Sequence, residues 1–342
     1  MNLGRSGPNV RRTRTCPALQ FNGIPYRMHN GGYRKLIPIR MIQRLLPIVF
    51  AIAFVAELSA QQLDPRAYSV SPTGVNIVIA NYGYSSGDVT FDPALPIDDG
   101  HAKINLFAAG YFRSISVAGR SANVTLVTPY VWGNLTGNVL GVPAEAYRSG
   151  LASPLARFAI NLYGARSMKL KEFAAYRQKT IIGTSVVVSP PVGQYDPAKA
   201  INVGSNRWGF KPEVGLSHAF QKTRLILDAY AGVWVYTDNN DFQGGTRSQK
   251  PIYNAQFHLS YDIKPRLWAA FDANFYRGGQ TTLNNIERND VQRNSRIGGT
   301  VSVPLGRRSS VKASYSAGAL RTIGGDFDTV SVAYQYLWGG GL

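Results

Sequence analysis

The chain is short of three things, and each shortage excludes a class of protein. Only one cysteine occurs in 342 residues, Cys16, and it lies near the start, so the remainder has no thiol, no disulfide and no cysteine metal site. No run of about 18 uncharged apolar residues exists, which removes the helical membrane proteins. Charged residues make up only 16% of the chain. The catalytic signatures are missing as well: there is no Gly-x-Ser-x-Gly elbow, no Walker loop and no dinucleotide fingerprint. Histidines 29, 101, 218 and 258 have no metal-ligand spacing. No catalytic, cofactor or metal residue is therefore expected, and an enzyme is the least favoured of three readings.

A formal charge of +18 would suit a nucleic-acid binder, but its distribution does not. Arg5, Arg11, Arg12, Arg14, Arg27, Arg34, Lys35 and Arg40 stand in the first forty residues without one acid, so eight of the eighteen charges belong to a segment with no amphipathic period. The rest of the positive charge is spread thinly, with no helix-turn-helix or zinc-finger spacing, and nucleic acid is not an expected partner.

Residues 1–40 read as an unstructured leader, and Met41 reads as the true start of translation. From there Arg44 supplies a basic start, Leu45 to Ala56 an apolar core and Ser59-Ala60 a small-residue stop, the pattern of a secretory signal peptide over 41–60. Leu58 departs from the small residue preferred before a cleavage site. Export through the periplasm is the expectation.

What is abundant is glycine, 35 residues, together with 19 tyrosines and 15 phenylalanines, set in short alternating segments. Tyr253, Ala255, Phe257, Leu259, Tyr261 and Ile263 alternate with Asn254, Gln256, His258, Ser260 and Asp262. Leu267, Ala269, Phe271, Ala273 and Phe275 alternate with residues that include Asp272 and Asn274, and Val330, Val332, Tyr334, Tyr336 and Trp338 with Thr329, Ser331 and Gln335. Period two with one apolar and one polar face is a strand between two different media.

Such strands are expected near 75–84, 103–113, 122–132, 155–164, 179–189, 206–217, 223–236, 252–263, 266–276, 294–303, 310–318 and 327–338. Tight turns at Gly119-Arg120, Ala219 to Lys222, Lys264-Pro265 and Leu305 to Arg308 alternate with long connections near 85–102, 133–153, 190–205, 237–251 and 277–293. Short periplasmic turns and long external loops are the habit of outer-membrane barrels. The fold class expected over 61–342 is thus all-β, a single transmembrane antiparallel barrel of about twelve strands in the bacterial outer membrane.

One periplasmic connection, Ala165 to Arg177, is too long, and its Met168 to Tyr176 stretch has the propensity of a short plug or surface helix. Aromatic residues near strand ends, among them Tyr82, Tyr84, Tyr130, Trp132, Tyr276, Tyr336 and Trp338, suit the lipid–water interface. The last strand ends on Trp338 but is followed by Gly339 to Leu342, a departure from the aromatic terminus by which barrel-insertion machinery usually recognises a client. Loop acids Asp88, Asp92, Asp98, Asp99, Asp238 and Asp241 lack the glycine and terminal glutamate of a calcium loop and read as solvated groups facing lipopolysaccharide and its ions. The other expected partner is the outer-membrane lipid.

Charges that alternate with apolar neighbours should point inward. Arg157, Arg207, Lys211, Glu213, Asp228, Asp262, Asp272 and Arg296 are the candidate lumen-lining residues, and as a set they are mixed in sign. A wall of that kind predicts poor selectivity between small anions and cations. Arginine placed at Phe257 or Phe271 should be costly, and at Gln256 or Asn274 cheap.

Several long motifs extend the reading: Asp64-Pro-Arg-Ala-Tyr68 running to Asn76, Tyr82 to Asp88, Phe91-Asp-Pro93, Gly119 to Ala122, Pro129 to Gly133, Gly193-Gln-Tyr-Asp-Pro197, Ile201 to Trp208, Phe210-Lys-Pro-Glu213, Tyr230 to Trp234 and Asn294 to Gly298. In these the chain resembles the outer-membrane transporter family of the MetA (meta) pathway of phenol degradation. Ser153-Pro154 departs from the family pattern, which has an aspartate before that proline. The resemblance implies a porin-like barrel for passive passage of small hydrophobic or aromatic solutes. The alternatives are a non-conducting structural or envelope-interaction barrel and, third, a barrel enzyme.

Overall fold

The computed structural model describes residues 63–93, 96–199 and 201–341. The expected leader and signal peptide lie outside the described residues.

In chain order the strands are β1 (Val75–Thr90), β2 (Ile97–Val117), β3 (Arg120–Val139), β4 (Val142–Leu151), β5 (Leu155–Tyr163), β6 (Thr180–Ser189), β7 (Gly209–Phe220), β8 (Leu225–Tyr236), β9 (Asn239–Phe242), β10 (Gly245–Gln249), β11 (Ile252–Lys264), β12 (Leu267–Gly278), β13 (Thr281–Leu283), β14 (Ile286–Glu287), β15 (Gln292–Pro304), β16 (Ser309–Leu320) and β17 (Gly324–Gly339). One helix, α1 (Leu170–Ala175), sits between β5 and β6. It occupies the long periplasmic connection and buries none of its own residues, so it is a surface helix rather than a plug.

Twelve of the strands form a closed antiparallel barrel, because β1 pairs with β2 on one side and with β17 on the other, from Val75 opposite Gly339 to Thr90 opposite Gly324. Closure satisfies every ladder without an edge, as a lipid surround requires. The periplasmic hairpins follow local chemistry. Ala118 and Gly119 both have positive φ, the two-residue turn whose twist matches its strands, and Pro265 precedes Arg266 at φ 65°, the pattern of a type II turn.

The faces invert the usual order of a folded protein. Phe271 is 58% exposed while its neighbour Asp272 is 0% exposed, and Tyr253, Phe257, Leu259 and Tyr261 lie outside while Asn254, Gln256, His258 and Ser260 are buried. An apolar exterior around a polar interior is what a strand between lipid and lumen demands. The protein is an outer-membrane β-barrel.

Two expectations need correction at the external end. Much of 85–102 and 133–153 is strand rather than loop: β1, β2 and β3 run on beyond their expected ends, and β4 continues the ladder on β3 from Val139 opposite Val142 to Tyr130 opposite Leu151. Glycine, asparagine and aspartate lower strand propensity, but a hairpin partner in register overrides it. The loops 237–251 and 279–291 also build a separate four-stranded sheet from β9, β10, β13 and β14. Inside this end Val89, Phe91, Ile104, Leu135, Val203, Phe242 and Phe327 pack as one apolar cluster.

Candidate functional site: the barrel lumen

The segment before β1 turns into the barrel. Arg66 has φ 65°, a left-handed conformation uncommon for a side-chain-bearing residue, and it directs successive backbone N–H groups at the wall. The Arg66 N–H donates to Asp228 Oδ2 at 3.2 Å and the Ala67 N–H to the Tyr230 hydroxyl at 3.0 Å, both on β8. The Arg66 guanidinium pairs with Asp262 at 2.8 Å and lies 4.4 Å over the Trp268 ring. Asn161 donates to the Tyr68 carbonyl at 3.1 Å.

Tyr68 anchors this segment. Its hydroxyl donates to Glu213 Oε1 at 3.1 Å and sits 3.1 Å from Ser185 Oγ. Glu213 is ion-paired to Lys211 at 2.7 Å, and Arg157 lies 5.0 Å over the face of the Tyr68 ring. Gly183 and Gly215 leave the slot the ring fills, since a Cβ at either position would overlap ring atoms. A second polar cluster stands beside this one. His258 Nδ1 contacts Asp272 Oδ1 at 2.7 Å and Thr300 donates to Asp272 Oδ2 at 2.6 Å. Its histidine and carboxylate resemble part of a catalytic relay, but both are fully buried and neither lines a cavity.

Along the other side of the lumen a cavity of about 420 Å³ remains open. Ile79, Ile104, Leu106, Val127, Val131 and Leu155 give it an apolar wall from β1, β2, β3 and β5. Small hydroxyls on β16 and β17, such as Ser314 and Ser331, continue the wall beyond β1, with Trp234, Tyr236 and Arg207 toward the external end.

The eight candidate residues therefore fall into separate groups. Arg157, Lys211 and Glu213 gather around Tyr68, Asp228 and Asp262 hold Arg66, and Asp272 belongs to the histidine cluster. Only Arg207 and Arg296 line the cavity. Arg296 donates to the Ser316 and Phe327 carbonyls and to the Ser316 and Thr329 hydroxyls. Arg207 stands before β7, not on it, and lies 4.1 Å over the Tyr236 ring.

Two readings of single residues change. Tyr276 is not a girdle residue: it is 3% exposed and packs inside against Trp234 and Ile252. Asp92 is not solvated, being buried and accepting the Asn289 N–H at 3.1 Å. The sequence reading also missed Tyr68 and Arg66 as lumen residues. The available signal was an arginine and a tyrosine placed just ahead of the first strand, together with two glycines at inward positions of neighbouring strands.

A closed barrel with an apolar belt around a divided polar lumen defines the class: an outer-membrane barrel. The chain belongs to the family described as "Putative MetA-pathway of phenol degradation", whose profile matches residues 75–320. A comparison with curated protein sequences finds no match. Among solved structures the COG4313 outer membrane channel from Pseudomonas putida F1 is similar at a TM-score of 0.69 and 17% identity, covering 81% of this chain and 100% of that one. That likeness shows the fold. The toluene transporter TbuX from Ralstonia pickettii matches at a TM-score of 0.39 and 9% identity, covering 78% of this chain and 90% of that one.

Proposed function

We propose that this barrel carries small, largely apolar solutes, aromatic ones among them, passively across the outer membrane. The observation that carries this reading is the cavity of about 420 Å³ with the apolar side chains of Ile79, Ile104, Leu106, Val127, Val131 and Leu155 turned into it. Outer-membrane lumens are ordinarily polar, and a water-filled path gains nothing from isoleucine, leucine and valine facing inward. An apolar wall lowers the cost of desolvating a hydrophobic passenger. The family's description and the channel whose fold this chain shares point the same way in kind.

Liposomes carrying the refolded protein should take up phenol and toluene faster than empty liposomes, and faster than they take up a sugar of similar size. Equal uptake by both kinds of liposome sinks the reading. A second reading, a non-conducting envelope barrel, has one observation in its favour: the apolar cluster around Phe91, Phe242 and Phe327 packs the external end. It predicts no uptake of any solute.

A further inference from the structure

The cavity holds one cation whose environment the passage of neutral solutes does not explain. Arg207 is 5% exposed, yet among the described residues no carboxylate lies within ion-pair distance of it. Its one side-chain hydrogen bond goes to the neutral amide of Gln249. Gln249 in turn donates to the Gly279 carbonyl at 2.9 Å, which turns its amide oxygen toward the guanidinium. Asp238 acts on Arg207 only from a distance, and the neighbouring Arg247 repels it. Burying a cation without a partner is costly, and such groups are kept where a charge is to be met.

The surroundings give that charge a shape. The Arg207 guanidinium lies 4.1 Å over Tyr236, and Tyr236 stacks on Trp234 with ring planes 3° apart and centroids 5.8 Å apart. A flat aromatic floor thus leads to a fixed planar cation at one end of an apolar cavity. The other basic groups on the wall are engaged. Lys312 is 3.7 Å from Asp64, and Arg296 donates to four oxygens. Burial pushes the Arg207 pKa down to about 10, which leaves the group fully charged at neutral pH.

We propose that Arg207 anchors the acidic end of the cargo, so that the cavity takes an organic monoanion made of one carboxylate on an apolar, preferentially aromatic, body. The carboxylate accepts from the guanidinium edge, which matches it in planar geometry. The ring packs along Tyr236 and Trp234 toward the wall of Leu106 and Val131. The volume falls within the range of about 300–1,000 Å³ usual for small-molecule sites. The inference rests on the reading of the cavity as the solute path and narrows its cargo.

Calorimetric titration of the purified protein in detergent micelles tests it with three probes: benzoate, the neutral near-isostere benzamide, and acetate, which has the charge without the ring. Benzoate should bind at least about tenfold more tightly than either of the others at pH 7, the scale of one charge-assisted pair. Arg207→Gln should bring benzoate down to the benzamide level, and Arg207→Lys should retain part of the preference. Heat-modifiable electrophoretic migration reports whether each variant folds; were Arg207→Gln to misfold, the Lys variant and the benzoate-to-benzamide ratio of the unaltered protein still decide. Equal affinity for benzoate and benzamide, or a benzoate affinity untouched by Arg207→Gln, overturns the proposal. Binding that depends on Arg207 in a barrel that passes no solute would sink the passage reading alone, and phenol uptake without such binding would sink only this one.

Discussion

Gly183 on β6 and Gly215 on β7 stand directly opposite each other in the ladder, and the Tyr68 ring lies across both. The pair removes two side chains from the inner wall at one point and lets an aromatic ring from another part of the chain lie flat against the backbone. Gly215→Ala should therefore destabilise the barrel by about 1–3 kcal/mol, the range for overpacking a filled site. In a Tyr68→Ala background the same change should cost far less, because the atoms it strikes are gone. Urea unfolding of the four proteins in a double-mutant cycle measures the coupling. Additive effects would mean that the ring does not occupy the slot.

The segment that Tyr68 pins fills one side of the lumen. Deleting residues 63–72 should join that space to the cavity and raise single-channel conductance in a planar bilayer several-fold. The barrel itself should survive, since its ladder begins at Val75 and closes without help from this segment. Unchanged conductance in a folded deletion variant would place the constriction elsewhere, at the external cluster around Phe91 and Phe242.

The alternation in β11, β12 and β17 fixed which side chains face lipid, because a strand's period assigns faces without knowledge of its neighbours. It could not say which inward residues meet across the lumen. Arg157 joins the Lys211–Glu213 pair only through Tyr68, which lies outside every strand. Tyr276 shows a signal overruled: it shares its phase with Asp272 and Asn274, so the period placed it inside while its aromatic character suggested the membrane girdle. Arg207 shows the opposite limit. It precedes β7, and period two has no authority over a loop.

The facing of the strands can be tested by charge. Phe257→Arg or Phe271→Arg, on the lipid side, should cost about 2–4 kcal/mol in unfolding from lipid bilayers. The sequence reading set Gln256 and Asn274 as the permissive comparison, and the structure replaces them. Both are buried beside the His258 and Asp272 cluster, where an arginine has no room. Asn81, which lines the open cavity, is the proper partner, and Asn81→Arg should cost much less than either lipid-side change. Equal costs would contradict the assignment of inside and outside.

Ion selectivity depends on which charges border the open path, and here the division of the lumen matters more than the total. The four acids among the eight inward residues, Glu213, Asp228, Asp262 and Asp272, are all engaged by the N-terminal segment or its neighbouring cluster and none lines the cavity. The cavity wall instead carries Arg207, Arg296 and Lys312 against Asp64 alone. A permeating ion responds to the nearest fixed charges in a low-dielectric surround, so in place of the poor selectivity expected from all eight residues as one wall, the excess of cations should favour anions. The reversal potential in a potassium chloride gradient should then lie on the chloride side. Arg207→Gln should move it toward zero, while neutralising Lys211, whose charge is spent on Glu213, should leave it nearly where it was. A cation-selective current would show that the conducting path runs through the acidic side of the lumen and not through this cavity.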